Sequence, residues 1–233
     1  MAKRKKKKKA DEVLVDVVEV REQAGDFFER NQNYIFGALT ALVLVIGGYF
    51  AYKNFYVAPR QQEALQQMWK AEEQFARDSF ALALTNPGGG YSGFLDIIDQ
   101  YGGTPAANAA KYYAGICYLH LGQFEAAIDY LKDFDADGRL MPIAKYGALG
   151  DAYSELNDFD QAIKYYRKAT NYNPNKALTP YYLKKLGMLL EKQGELEDAK
   201  EAYETIRDEY PESTEGRDIE KYIIRIEAQL ARK

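Results

Sequence analysis

The pattern of apolar and polar residues divides the chain into three parts. Residues 1–33 mix charged and apolar positions, residues 34–52 contain no charged residue, and the segments after residue 60 place apolar residues three and four positions apart. Spacing of three and four is typical of helices that bury one face. We therefore predict an all-α fold, with one apolar helix ahead of a larger helical domain.

Three segments of the larger domain repeat one pattern at nearly constant spacing. A glycine, an alanine and a large apolar residue each recur at intervals of 35 and 37 residues: Gly115, Gly150 and Gly187; Ala127, Ala162 and Ala199; Phe124, Phe159 and Leu196. Two helices cross closely where a small residue faces the partner, and larger side chains fill the space around the crossing. The period predicts a solenoid of stacked helix pairs, with repeats at about 108–142, 143–179 and 180–212.

The residues before the repeats are predicted to form a degenerate leading repeat at 61–104. A long helix is expected at about 61–84, and its apolar stripe would comprise Leu65, Met68, Trp69, Phe75 and Phe80. A short helix should follow at 93–101. Thr104 suits the N-cap of the next helix and Pro105 its first position.

The residues after the repeats, 213–233, are predicted to close the solenoid with a capping helix. Apolar residues stand at helical spacing there: Ile219, Tyr222, Ile223, Ile226 and Leu230. A terminal helix of this kind covers the last repeat and turns a polar face to solvent.

Residues 34–52 are predicted to form a single transmembrane helix. This stretch of 19 residues has no charge and no proline, and it would span about 28 Å as a helix, close to the hydrocarbon thickness of a bilayer. Tyr34, Tyr49, Tyr52 and Tyr56 fit an interfacial aromatic belt. A signal peptide is the main alternative, but 33 residues precede the run and no small-x-small cleavage site follows it closely.

The flanking segments set the expected topology. Residues 1–10 should lack regular structure, residues 11–33 should form an amphipathic juxtamembrane helix, and residues 53–60 should be a linker. The lysine-rich run Lys3–Lys9 favours a cytoplasmic N-terminus and puts the repeats on the far side of the membrane. Charges nearer the helix do not decide the orientation, so a cytosolic repeat domain remains the alternative.

The lysine run permits two roles. It can act as a topology signal alone, or it can make weak contact with anionic lipid or ribosomal RNA. The rest of the chain argues against DNA as a partner, because residues 54–233 hold 21 basic and 28 acidic residues.

No constellation for catalysis or for binding a cofactor or metal emerges from the sequence. His120 is the only histidine and Cys117 the only cysteine. In the repeat register Cys117 faces the helix crossing while His120 lies near the helix end, so packing explains both better than a nucleophile and its base. We expect a protein that is not an enzyme.

The first helix of each repeat would line the concave surface of the solenoid. The positions that face this surface in the repeat register are Tyr112, Ile116, Leu119, His120, Asp151, Ser154, Glu155, Tyr181, Lys184, Met188 and Lys192. The first repeat offers an apolar patch and the later two a mixed charged one. Such a surface suits an extended or partly unfolded polypeptide segment.

The repeats from Gly115 to Pro211 resemble the tetratricopeptide superfamily. The first repeat departs from the family pattern, with Lys111 in place of an aromatic residue, Leu131 in place of the usual Tyr and Phe134 in place of the usual Ala. The whole arrangement is similar to the YfgM family of ancillary Sec-translocon subunits. The stretches YSGFLDIIDQYGGTPAANAAKYYAGICYL and YPESTEGRDIEKYI resemble its members from the Bacteroidota.

The narrower resemblance implies a protein of the bacterial inner membrane near the translocon, with its repeat domain in the periplasm. Its partners would be translocon subunits and newly exported or unfolded polypeptides, on which it would act as a chaperone-like scaffold. A structural adaptor that holds a multiprotein cell-envelope complex together is the alternative, since it also needs only a membrane helix and a solenoid.

Overall fold

The computed structural model describes the backbone of residues 2–232 and the side chains of residues 27–232, and within this range every regular element is helical. The all-α prediction is therefore confirmed. The chain separates into two compact units, one up to Ala58 and one from Pro59 onward.

The first unit is built on a single long helix, α1, which covers Ala2–Tyr52 and is followed by a π-helical turn at Lys53–Val57. Its apolar part exposes large side chains throughout, among them Leu44 at 69% and Val45 at 70%. Within the described residues, this is the one helix that is long and apolar enough to cross a membrane.

Helix α1 begins earlier than the sequence suggested. The backbone is helical from Ala2, where we expected no regular structure, and residues 53–57 are helical where we expected a linker. Lysine is a good helix former, and a short segment extends a helix more easily than it nucleates one. The predicted contacts of Lys3–Lys9 and most of the amphipathic face predicted for residues 11–33 fall on side chains outside the described residues.

The second unit opens with three helices: α2 (Ala58–Ala76), α3 (Phe80–Thr85) and α4 (Phe94–Gln100). The single helix predicted at 61–84 is therefore wrong. The chain breaks between α2 and α3 at Asp78, whose φ of 57° lies in the left-handed region that aspartate tolerates better than most residues. The break places the Phe80 ring 5.6 Å from the ring of Phe75.

The apolar stripe predicted for α2 is also partly wrong. Met68 is buried, but Leu65 and Trp69 are 49% and 46% exposed. Ala64 and Ala71 are fully buried beside Met68, and the predicted residues Phe75 and Phe80 also pack against this core. Small side chains therefore let α2 approach its neighbours, while the Trp69 ring packs edge-on against Tyr91 at 5.2 Å.

Six helices form the repeats in three consecutive pairs: α5 (Pro105–His120) with α6 (Phe124–Asp133), α7 (Met141–Glu155) with α8 (Phe159–Asn171), and α9 (Thr179–Gln193) with α10 (Leu196–Glu209). The predicted start of α5 is confirmed, because the Thr104 side chain accepts a hydrogen bond from the Ala107 N–H at 3.1 Å and Pro105 takes the first position. The recurrent alanines Ala127, Ala162 and Ala199 are all fully buried.

Each recurrent glycine faces one residue of the paired helix, sixteen positions later. A Cβ on Gly115 would lie 2.6 Å from Leu131, one on Gly150 2.6 Å from Tyr166, and one on Gly187 2.4 Å from Tyr203. The small residue predicted at each crossing is thus present, and it leaves room for a large side chain.

The solenoid ends in a capping helix, α11 (Glu220–Leu230), after a short 3₁₀ turn at Gly216–Asp218. Ile219, Ile223 and Ile226 are at most 1% exposed, whereas the outward positions are mainly charged. Ile224, at 59% exposure, is the apolar exception on the outer face.

Candidate functional site

A cavity of about 630 Å³ lies among the C-terminal ends of α5, α7 and α9. Seven of the positions predicted to face the concave surface line it: Leu119, His120, Asp151, Ser154, Glu155, Met188 and Lys192. We call this cavity and its lining the groove. Gly122, Phe124, Tyr166, Lys185 and Leu189 complete it.

Close packing between α7 and its neighbours determines the position of the groove floor. The ring of Tyr166, on α8, occupies the space that a side chain at position 150 would fill. Gly147 likewise leaves room for the ring of Tyr182, on α9. Because both rings press directly on the α7 backbone, α8 and α9 are held close to the helix that supplies Asp151.

Asp151 is the centre of a polar cluster in the floor. The Tyr166 hydroxyl donates to Asp151 Oδ1 at 2.6 Å, and the Lys185 ammonium donates to the same oxygen at 2.7 Å. Asp151 lies on α7, Tyr166 on α8 and Lys185 on α9. The cluster therefore joins the second and third repeats beneath the groove.

The protonation states of the cluster follow from burial and charge. Burial raises the pKa of Tyr166 far above its usual value, and the neighbouring Asp151 carboxylate raises it further. Burial alone would lower the pKa of Lys185, but Asp151 and the Tyr181 hydroxyl outweigh this and leave that pKa above its ordinary value. At neutral pH Tyr166 is a neutral donor and Lys185 a cation, so the Asp151 carboxylate keeps both partners.

The rim of the groove combines apolar and charged side chains. Met188 is 48% exposed and Leu119 is half-buried. The His120 ring stacks on Phe80 with 4.3 Å between the centroids, and the Lys192 ammonium lies 4.2 Å from the centre of the Phe159 ring. The aromatic contacts hold two polar rim residues in place beside an exposed apolar surface.

Four predicted positions lie outside this cavity. Tyr112 lines a second cavity, Ile116 packs against the core, and Tyr181 is exposed with its ring 4.8 Å from the Lys185 ammonium. Lys184 instead lies over the Tyr222 ring at 5.2 Å, on the side of the capping helix.

The residue that takes the place expected for Lys184 is Lys185. Tyr181, Lys185, Met188 and Lys192 follow at intervals of four, three and four, which is the spacing of one helix face. With Lys184 the intervals are three, four and four, which also fit one helix face, so spacing alone does not choose between the two lysines. Tyr166 was missed because it belongs to a second helix, although its place sixteen residues after Gly150 is a signal that the repeats provide.

The described side chains provide no group of three His, Cys, Asp or Glu residues that could hold a metal ion. Cys117 is fully buried, and burial raises the pKa of its thiol to about 12. Its thiolate is therefore scarce at neutral pH, and its surroundings favour packing over nucleophilic chemistry.

Three family models, each described as a tetratricopeptide repeat, match the chain at residues 94–139, 146–176 and 185–213. The first match begins at α4, ahead of the first clear repeat. The comparison with curated proteins produced no match. The matched segments cover α5, α6, α8 and α10 completely and most of α7 and α9, and they contain every residue of the groove.

Proposed function

We propose that this tetratricopeptide repeat protein is a membrane-attached scaffold that holds an extended segment of another polypeptide in its groove. Tetratricopeptide repeats indicate a protein-protein interaction scaffold. The observation that supports an extended ligand is the groove itself, in which half-buried Leu119 and exposed Met188 lie beside Glu155 and Lys192.

Attachment to a membrane is the second part of the proposal. The apolar part of α1 exposes its side chains along its whole length, and four tyrosines mark its two ends. A spanning helix confines the repeats near one membrane, which raises their effective concentration toward partners there. Weak contacts in the groove are then sufficient for function.

We further propose that the membrane is a bacterial inner membrane and that the repeats lie in the periplasm beside the export machinery. Lys3–Lys9 support a cytoplasmic N-terminus. The link to the Sec translocon rests on the resemblance to the YfgM family. In this role the ligands are newly exported chains that have not yet folded.

The groove assignment is tested with the full chain in nanodiscs and fluorescently labelled, unfolded segments of an outer-membrane protein. The double variant Leu119→Ala/Met188→Ala removes the two apolar side chains of the groove rim. Losing these contacts should weaken binding about tenfold or more, since burying a large apolar side chain contributes roughly 1.5–3 kcal/mol.

The matched control is Leu82→Ala/Ile224→Ala, which removes two side chains outside the groove that are 49% and 59% exposed. It should bind like the wild type. Equal affinities for the two double variants would overturn the groove assignment. A stable one-to-one complex with a folded envelope protein, in place of unfolded segments, would favour the structural adaptor.

A further inference from the structure

A second cavity, of about 420 Å³, lies beside the N-terminal half of α5. Residues of α5 form one wall: Pro105, Asn108, Ala109, Tyr112 and Tyr113. The connection between α6 and α7 and the first residue of α7 form the other: Phe134, Asp135, Asp137 and Met141. We call it the Tyr112 cavity. It combines aromatic rings with two carboxylates, a different chemistry from that of the groove.

The loop that supplies the carboxylates is fixed to α5. The Asn108 side chain donates to the Asp135 carbonyl oxygen at 2.7 Å and accepts from the Asp135 N–H at 2.9 Å. Lys111 forms an ion pair with Asp133 at 2.6 Å. The backbone at Asp135 is thus held in place on the cavity wall.

The local charge of the Tyr112 cavity is negative. The charges of Lys111 and Asp133 cancel each other in their ion pair. Neither Asp135 nor Asp137 forms an ion pair with another described side chain. Lys145 lies over the Phe134 ring at 6.0 Å, and its ammonium donates to the carbonyl oxygens of Phe134 and Lys132. Burial lowers the pKa of Lys145, and Asp135 opposes that shift only in part.

Aromatic rings complete the cavity wall. The Tyr112 and Phe134 rings lie 5.4 Å apart and are tilted by 48°, while Tyr113 stacks on Phe94 at 4.9 Å. Ring faces attract cations, and carboxylates bind a planar guanidinium through paired hydrogen bonds. Arginine satisfies both requirements better than lysine, because its flat head can stack and donate at the same time.

We propose that the Tyr112 cavity receives an arginine side chain of the polypeptide segment held in the groove. This inference rests on the proposed function. Tyr112, Ile116 and Leu119 follow at helical spacing on α5, so the two sites share one helix face. Seven helical residues advance about 10 Å, and three residues of an extended strand cover the same distance. The preferred ligand therefore carries an arginine and an apolar residue three positions apart.

The test uses the full chain in phosphatidylcholine nanodiscs, where no anionic lipid competes for arginine. The probes are two labelled twelve-residue peptides with leucine three positions from either arginine or citrulline, its uncharged isostere. The arginine peptide should bind about tenfold more tightly, because charge-assisted hydrogen bonds are roughly twice as strong as neutral ones. Each peptide is made in two versions, one with the leucine before the arginine or citrulline and one with the leucine after it.

Two variants with the same change in net charge separate this site from a general charge effect. Asp135→Asn/Asp137→Asn should remove the preference for arginine and leave the citrulline peptide bound as before, which also shows that the groove is intact. Glu201→Gln/Glu212→Gln, which neutralises two exposed acids outside both cavities, should keep the preference.

Equal binding of the two peptides by the wild type would overturn the arginine site. So would a preference that survives in Asp135→Asn/Asp137→Asn. In either case the proposed function stands if Leu119→Ala/Met188→Ala still weakens the binding of both peptides. If that variant binds them as the wild type does, the proposed function fails as well.

Discussion

At the scale of single residues, glycines and tyrosines determine how closely the repeat helices approach. Gly150 and Gly187 each leave space for a tyrosine ring of the paired helix, and Leu131 takes the same place against Gly115. The tyrosine at this position also donates to a carboxylate of the first helix, Tyr166 to Asp151 and Tyr203 to Glu191. The departure at Leu131 therefore removes a polar contact that the later repeats have.

The contact between Gly150 and Tyr166 predicts the effect of one added methyl group. In Gly150→Ala the new Cβ would lie 2.6 Å from the Tyr166 ring, so the ring must move away from Asp151. Overpacking should lower the free energy of unfolding by about 1–3 kcal/mol, which exceeds the gain of up to about 1 kcal/mol from alanine's higher helix propensity.

Denaturant unfolding of the full chain in detergent measures this change. The matched control is Gly102→Ala, whose Cβ would meet only the Ile98 carbonyl oxygen at 3.6 Å. That control should stay within about 0.5 kcal/mol of the wild type. A Gly150→Ala variant as stable as the control would contradict the close packing that places Asp151.

At the scale of helices, Glu191 joins the last repeat to the cap. Its carboxylate, 14% exposed, pairs with the Arg225 guanidinium and accepts from Gln229 at 2.9 Å and from the Tyr203 hydroxyl at 3.3 Å. These partners lie on α11 and α10. The carboxylate thus adds a polar anchor to the apolar contact of Ile223 and Ile226.

Neutralising Glu191 should loosen the capping helix selectively. Glu191→Gln removes the charge that Arg225 requires, and the loss of a charged hydrogen-bond acceptor should cost about 1–3 kcal/mol. Hydrogen exchange should then speed up in residues 220–230 and remain unchanged in α5 and α6. The control Glu201→Gln, at an exposed position of α10, should leave exchange as it is. Uniform acceleration across all repeats would contradict a local role.

Sequence periodicity predicted the repeat helices well, because the glycines and alanines at their crossings recur in phase. It failed at α2 and α3, where no repeat supports the register. There Ala64 and Ala71 face the core with Met68, and Phe75 and Phe80 pack against it, whereas Leu65 and Trp69 are about half exposed. The break at Asp78 depends on a left-handed backbone conformation. Aspartate tolerates this conformation but does not require it, so the sequence does not predict the break.

The groove was predictable as a surface but not as a set of contacts. Leu119, Asp151 and Met188 follow from the repeat register, since each lies on the side of a first helix that lines the groove. The pairing of Asp151 with Lys185 and Tyr166 was not predicted, because it depends on how three helices of two repeats come together.

At the scale of the whole molecule, a helix suited to a membrane precedes a domain suited to binding polypeptides. In the proposed function the two units perform different tasks, and membrane attachment by the first makes modest affinity in the second sufficient. The central claim is that the groove holds unfolded, exported chains while the protein remains in the membrane.

Photocrosslinking in cells tests this claim most directly. A photoreactive amino acid replaces Met188, in the groove, or Ile224, on the outer face of the cap. At position 188 we expect adducts with many different exported polypeptides, and these should decrease when export is blocked. At position 224 such adducts should be rare. Equal labelling at the two positions, or adducts at position 188 with cytosolic proteins alone, would contradict the account.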